Sequence, residues 1–220
     1  LVRDVTLLRS ESDHQIKITV PGPFTMSQQA EDDYYRDGKA LAFAFADAVH
    51  GEIKDLFRAG ADVVQLDEPF LQARIEPARA YGVSTINRAL EGISGTTAVH
   101  LCLGYAALIK DKPSAYSFLT QLNDCGVDQI SIEAAQPSLD LNVLKQLSNK
   151  TIILGVLDLN DMSVESPRLV AARLPDALKV VPVEKLIAAP DCGMKYLPRS
   201  IAFGKLKALV EGARLVRGRV

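Results

Sequence analysis

Six short, largely apolar runs recur along the 220-residue chain, at 16–20, 62–66, 97–102, 128–133, 151–156 and 185–190. They read "IKITV", "DVVQL", "TAVHLC", "DQISIE", "TIILGV" and "KLIAAP", rich in β-branched residues, as strands covered on both faces are. Between them lie stretches of helical composition, at 39–59, 76–90, 114–125, 139–147 and 167–178, with a last one at 200–216. The first of these ends at Gly60, a residue suited to close a helix, and "PGPF" after the first run breaks the pattern. A parallel neighbour must be reached by a crossover of about a dozen residues or more, which these stretches supply. The alternation therefore predicts an α/β fold with a parallel sheet.

An open doubly wound sheet satisfies the same alternation, but the phosphate-binding G-x-G-x-x-G is absent. A TIM (β/α)8 barrel needs eight units and about 250 residues. The expectation is thus one domain, residues 1–220, forming a barrel whose front strands are missing from a sequence that starts at Leu1. A formal net charge of −2 with no basic cluster argues against a nucleic-acid partner. No apolar run approaches the ~18 residues of a membrane span, and no secretory pattern opens the chain. The three cysteines, Cys102, Cys125 and Cys192, are odd in number and far apart, which predicts a reducing, cytoplasmic setting with thiols available to a metal.

Side chains at the C-terminal ends of barrel strands converge on one mouth. Here those ends are rich in chemical groups: "VVQLDEP" ends in Asp67 and Glu68, "AVHLC" in His100 and Cys102, "ISIE" in Glu133. "TIILGVLDLND" carries Asp158, Asn160 and Asp161, and "LIAAPDCG" carries Asp191 and Cys192. His100 and Cys102, two apart on a strand, point to the same side. With Glu133 and Cys192 they make an N/S/O set that suits Zn2+. By spacing alone, a packed imidazole and a buried thiol explain H-x-C better than a metal does. Glu133 brings the metal reading level, because a carboxylate ending an apolar strand is costly to bury without a partner, and Cys192 adds to it. Asp67 and Glu68 read either as functional acids or as strand-end groups that cap the next helix or face water. Cys125 reads as a buried or peripheral thiol, His14 and His50 as surface residues, and "EDDYY" at 31–35 as a solvated loop.

"QLDEP", "HLC", "ISIE" and "APDCG", in this order, resemble the C-terminal catalytic barrel of the cobalamin-independent methionine synthase family, from about "VPGPFT" to the last helix. The resemblance implies a barrel of the methionine synthase / uroporphyrinogen decarboxylase type. It implies a zinc ion on His100, Cys102, Glu133 and Cys192, and Asp67 in contact with the amino acid substrate, with Glu68 and Ser131 assigned to the same side. The implied reaction moves a methyl group to the thiol of homocysteine, giving methionine. A free alkyl thiol has a pKa of ~8.5 or above, so a metal that ionises it supplies the nucleophile. Asp67 would orient that thiol by pairing with the substrate ammonium.

Three departures from the family pattern fall on the methyl-donor side. Asn160 stands where the family has a proton-donating His in G-V-x-D-I-H, and an amide has no acidic proton to give. The chain has no Trp to pack on a folate, Gln29 standing near that position, and Ala73 replaces a folate-side Glu. The expectation is therefore a zinc-dependent homocysteine methyltransferase whose donor is a methylcorrinoid, free or protein-bound, rather than a folate polyglutamate. The alternatives are the ordinary 5-methyltetrahydrofolate reaction, zinc-dependent alkylation of another small thiol, and a non-catalytic zinc-binding remnant.

Overall fold

The six apolar runs form β1 (Lys17–Pro21), β2 (Val63–Asp67), β3 (Thr96–Leu101), β4 (Gln129–Ile132), β5 (Thr151–Gly155) and β6 (Leu186–Ala189), where the sequence pattern places strands. The computed structural model describes residues 1–103, 116–147 and 149–218. The backbone divides into two units, residues 1–101 with 117–130 and residues 102–116 with 131–220. The boundary runs through β4, whose Gln129 and Ile130 belong to the first unit and Ser131 and Ile132 to the second.

In the first unit the strand order is β1, β2, β3 and the first half of β4. β1 and β2 pair in parallel with Pro21 opposite Asp67, and β2 and β3 with Asp67 opposite His100. The long crossover helix α3 (Gly38–Arg58) buries Ala42, Ala46, Val49, Ile53 and Leu56, a stripe at helical spacing that explains its alanine-rich composition. Asp37 caps its start by accepting from the amides of Lys39 and Ala40, and Gly60 follows its end at φ +105, as expected of the glycine there. The helices α1 (Val2–Glu11) and α2 (Pro23–Gln29) lie outside the sequence expectation. α1 has weak amphipathic patterning and a single buried residue, Val5, so periodicity did not reveal it. It is fastened by Arg9, which donates to the Gly60 carbonyl and pairs with Asp62. α2 is seven residues long and starts with Pro23 in its first turn, where proline initiates rather than breaks a helix.

The single helix expected at 76–90 is preceded by α4 (Phe70–Ala73) and resolves into α5 (Ile75–Pro77), a wide π-type turn at Ala78–Gly82 and α6 (Val83–Ala89). The helix expected at 114–125 begins outside the described residues. Its described part is a 3-10 turn, Leu119–Asp124, closed by the Asn87 side chain, which donates to the Asp124 carbonyl and accepts from the Gly126 amide.

In the second unit the order is the second half of β4, then β5 and β6, with Gly155 opposite Ala189. The segment 141–147 is again 3-10 rather than α, its first turn tied by Asp140 accepting from the Asn142 amide. α7 (Pro167–Ala172), α8 (Pro175–Leu178) and α9 (Arg199–Arg217) complete the unit. Lys205 of α9 is fully buried; its ammonium donates to the Asp158 carbonyl at 2.9 Å and to Glu165 at 2.7 Å. Arg173 donates to the Val156 carbonyl at 2.7 Å, so two cations brace the chain as it leaves β5. No helix among the described residues is long and apolar enough to cross a membrane.

The turn from β1 into α2 depends on Gly22. Its backbone, at φ −73 and ψ 148, would accept any residue, but a Cβ there would collide with the carboxyl of Glu68. Gly22→Ala is expected to destabilise the protein by about 3 kcal/mol, as overpacking against a fully buried side chain does, measured by urea unfolding.

Candidate metal centre

Three ligating side chains meet in the second unit. Cys102 directly follows β3, Glu133 directly follows β4, and Cys192 lies three residues past β6. The two Sγ atoms are 3.4 Å apart, and both lie within 4.8 Å of a Glu133 carboxylate oxygen. Cys102 and Glu133 are buried, whereas Cys192 is half-buried. The Glu133 carboxylate accepts from the Leu103 amide at 3.1 Å. The backbone of Glu133 is held on both sides by Tyr116, whose hydroxyl accepts from its N–H at 2.9 Å and donates to its C=O at 3.3 Å. Burial first, and the Glu133 charge second, push the Tyr116 phenol well above its ordinary range, so it stays protonated.

The shared hydrogen bond with Cys192, then burial, then the negative charges of Cys192 and Glu133 push the Cys102 thiol far above the ordinary range. Cys102 therefore keeps its proton unless a cation joins the two sulfurs. A thiophilic divalent ion matches two close sulfurs and a carboxylate, so the donor set fits zinc.

His100 is buried near the end of β3 in the first unit, two residues before Cys102, with Asp67 as its neighbour across the pairing. Asp67 is half-buried and accepts from Gln65 Nε2 at 2.9 Å, and Gln65 in turn accepts from Lys17 Nζ at 2.7 Å. Burial lowers the Lys17 pKa, against the pull of Asp67. Ser131 is buried within β4.

The Glu68 carboxylate lies at the start of α2, the helix before its own strand rather than the next one. It is fully buried and accepts from the amides of Phe24 and Thr25 at 3.0 and 2.7 Å, the first two free donors of α2. Burial raises its pKa to about 7, the bonds from Thr25 and Phe24 pulling the other way. Asn160 is exposed, its amide donating to Asp158 at 2.8 Å in a local turn, and Asp161 likewise closes a turn on Ser163. Gln29 ends α2 and Ala73 ends α4. Cys125 is buried and His14 exposed; His50 is half-buried, its Nδ1 3.0 Å from the Ala89 carbonyl. Sequence reasoning gave no part to Tyr116 and no role to Asp191, although Asp191 directly precedes a candidate ligand.

A family profile described as "Cobalamin-independent synthase, Catalytic domain" matches residues 2–215. The chain belongs to this family. It is 36% identical over 221 aligned positions to a methionine synthase of Saccharolobus solfataricus, covering 99% of this chain and 63% of that protein. A methionine synthase of Sulfurisphaera tokodaii is 32% identical over 203 positions, covering 92% of this chain and 57% of the relative. The chain thus spans about three fifths of the curated relatives it matches. The structure of a B12-independent methionine synthase from Shewanella sp. W3-18-1, in complex with selenomethionine, superposes with a TM-score of 0.93 at 32% identity, covering 99% of this chain and 67% of that one. The fold is accordingly the α/β barrel type of this family, with six parallel strands among the described residues. The expected methylcorrinoid donor finds no support here: the family profile is cobalamin-independent and the Shewanella neighbour B12-independent by description, and the folate alternative fits them better.

The burial of Glu68 makes stability depend on pH. Its carboxyl titrates near 4.5 when unfolded and at about 7 when folded, so its stabilising contribution is complete below 4.5 and is lost as pH rises through 7. Glu68→Gln removes that slope. In metal-free protein, the stability of the variant relative to wild type should rise by on the order of 3 kcal/mol between pH 4.5 and 7.5. Urea unfolding at both pH values checks this, and a pH-independent difference would contradict it.

Proposed function

We propose that this chain carries the zinc centre of a cobalamin-independent methionine synthase, which moves the methyl group of 5-methyltetrahydrofolate to the thiol of homocysteine. The observation that carries this reading is the pair of sulfurs 3.4 Å apart beside the buried Glu133 carboxylate, in a chain of this family. His100 is the fourth ligand in this reading, joining Cys102, Glu133 and Cys192. When bound, zinc supplies the positive charge that ionises the two cysteines and the incoming thiol at neutral pH.

The chain's own residues supply the rest. Tyr116 fixes the backbone of Glu133, so the carboxylate keeps one orientation toward the sulfurs. Cys192 is the least buried of the three donors in its unit. Asp67 accepts the ammonium of homocysteine, and Gln65 holds its carboxylate in place by donating to one oxygen. Holding the ammonium places the substrate sulfur and removes rotational freedom before methyl transfer. Asn160 has no acidic proton and is exposed, so the proton taken up by the departing folate nitrogen comes from solvent. The selenomethionine of the Shewanella neighbour supports the substrate class, since it is the selenium analogue of the methylated product.

Metal analysis and a methyl-transfer assay with homocysteine and 5-methyltetrahydrofolate test the reading. The purified protein should hold one zinc, and its X-ray absorption should gain a sulfur on adding homocysteine. Cys102→Ser should reduce zinc occupancy to below about a tenth after dialysis against a mild chelator. Asp67→Asn should raise the KM for homocysteine by about tenfold or more, with the zinc content unchanged. A wild-type protein that binds no zinc, or a zinc shell indifferent to homocysteine, would rule the reading out.

A further inference from the structure

We propose that Asp191 is the positioning residue of the zinc centre, locking the segment that carries Glu133 to the segment that carries Cys192; this rests on the zinc reading above. Asp191 is 1% exposed and immediately precedes Cys192. One of its oxygens accepts from the amides of Ala134 and Ala135 at 3.2 and 3.0 Å, and the other from the amide of Gln136 at 2.7 Å. These are the three consecutive amides that follow Glu133. A single carboxylate thus ties together two ligands that arrive from different strands. Three backbone donors converging on one anion form a rigid concave nest, so the tie fixes direction as well as distance.

The rest of the unit keeps Asp191 in place. Its own amide donates to the Leu157 carbonyl at 3.3 Å, and the Val156 amide donates to the Ala189 carbonyl at 2.7 Å. That stretch is the one braced by Lys205, Glu165 and Arg173: Glu165 accepts from the Asp158 amide at 2.9 Å while bonded to the Lys205 ammonium. At the end of β5, Gly155 leaves room for the carboxyl. A Cβ there would collide with an Asp191 oxygen and would lie 2.7 Å from its Cα and 3.0 Å from the Ile132 carbonyl. An acceptor needed only to satisfy a turn would not require a cleared space and a braced support.

The test compares zinc affinity, read on folded protein by competition with a chromophoric chelator, with the melting temperature of the metal-free form. Asp191→Asn should weaken zinc binding by about 10- to 100-fold, as loss of a group that orients ligands does. Its X-ray absorption should show one protein donor replaced by a water oxygen. Asp62→Asn is the structural control: Asp62 accepts from the Ile16 amide and pairs with Arg9 in the first unit, so its loss should lower the melting temperature and leave zinc affinity unchanged. If Asp191→Asn does not fold, the smaller Asp191→Ser is held to the same criterion. Zinc affinity within about twofold of wild type in the folded Asp191 variant, whatever its melting temperature, would overturn the proposal. Wild type binding zinc no tighter than Cys102→Ser would instead remove the zinc reading, and the proposal with it.

Discussion

Parallel pairing in a common register is the constraint on which the rest of this protein depends. When neighbouring strands run the same way, the chain leaves every strand at the same end, so residues just past the strands become neighbours without being close in sequence. In the first unit the register sets Pro21 beside Asp67 and Asp67 beside His100, and the Glu68 amide continues the pairing onto the His100 carbonyl at 2.9 Å. In the second unit Gly155 lies beside Ala189, which sets the chain after β5 against the chain after β6. Cys102, Glu133 and Cys192 owe their proximity to their positions one, one and three residues past three different strands.

Burying acids at those strand ends is costly, and the protein meets the cost differently at each. Glu68 and Asp191 are surrounded by backbone N–H groups, which hold a carboxylate in place without adding a charge. Both nevertheless titrate upward, to about 7 and about 6, because desolvation outweighs those bonds. Glu165 instead meets the cations of Lys205 and Arg173, a buried pairing that braces a loop. Glu133 is the acid that lies among sulfurs. Hydrogen bonds and ion pairs account for the others as parts of the framework, whereas a carboxylate beside two thiols is a donor set for a soft divalent ion.

Much of this was legible in the residues. The strands were found because apolar β-branched runs bounded by helical stretches have few other uses, and the last helix fell within a residue of its pattern. The ligand candidates were legible because cysteine, histidine and glutamate are unusual at the end of apolar strands. Short connections were not: the 3-10 turns at 119–124 and 141–147 carry helical composition, and the Asn87 and Asp140 side chains that bond at their edges leave no periodic mark in the sequence. For the methyl donor, three local replacements, at Gln29, Ala73 and Asn160, point away from folate, whereas the description of the family fits the folate alternative better.

By itself, the sequence determined the β–α alternation, the identity of the metal-capable residues and the end of the strands on which they lie, because these follow from side-chain chemistry and from hydrophobic periods of local range. Only the tertiary structure decided what each acid does. Asp67 and Glu68 are adjacent in the chain and alike in chemistry, yet one is half-buried beside Gln65 and the other fully enclosed at the start of α2. Asp191 gained its role from amides 55 to 57 residues away. Burial and hydrogen-bond partners are properties of the packed neighbourhood, and that neighbourhood is assembled from segments whose meeting no local pattern records.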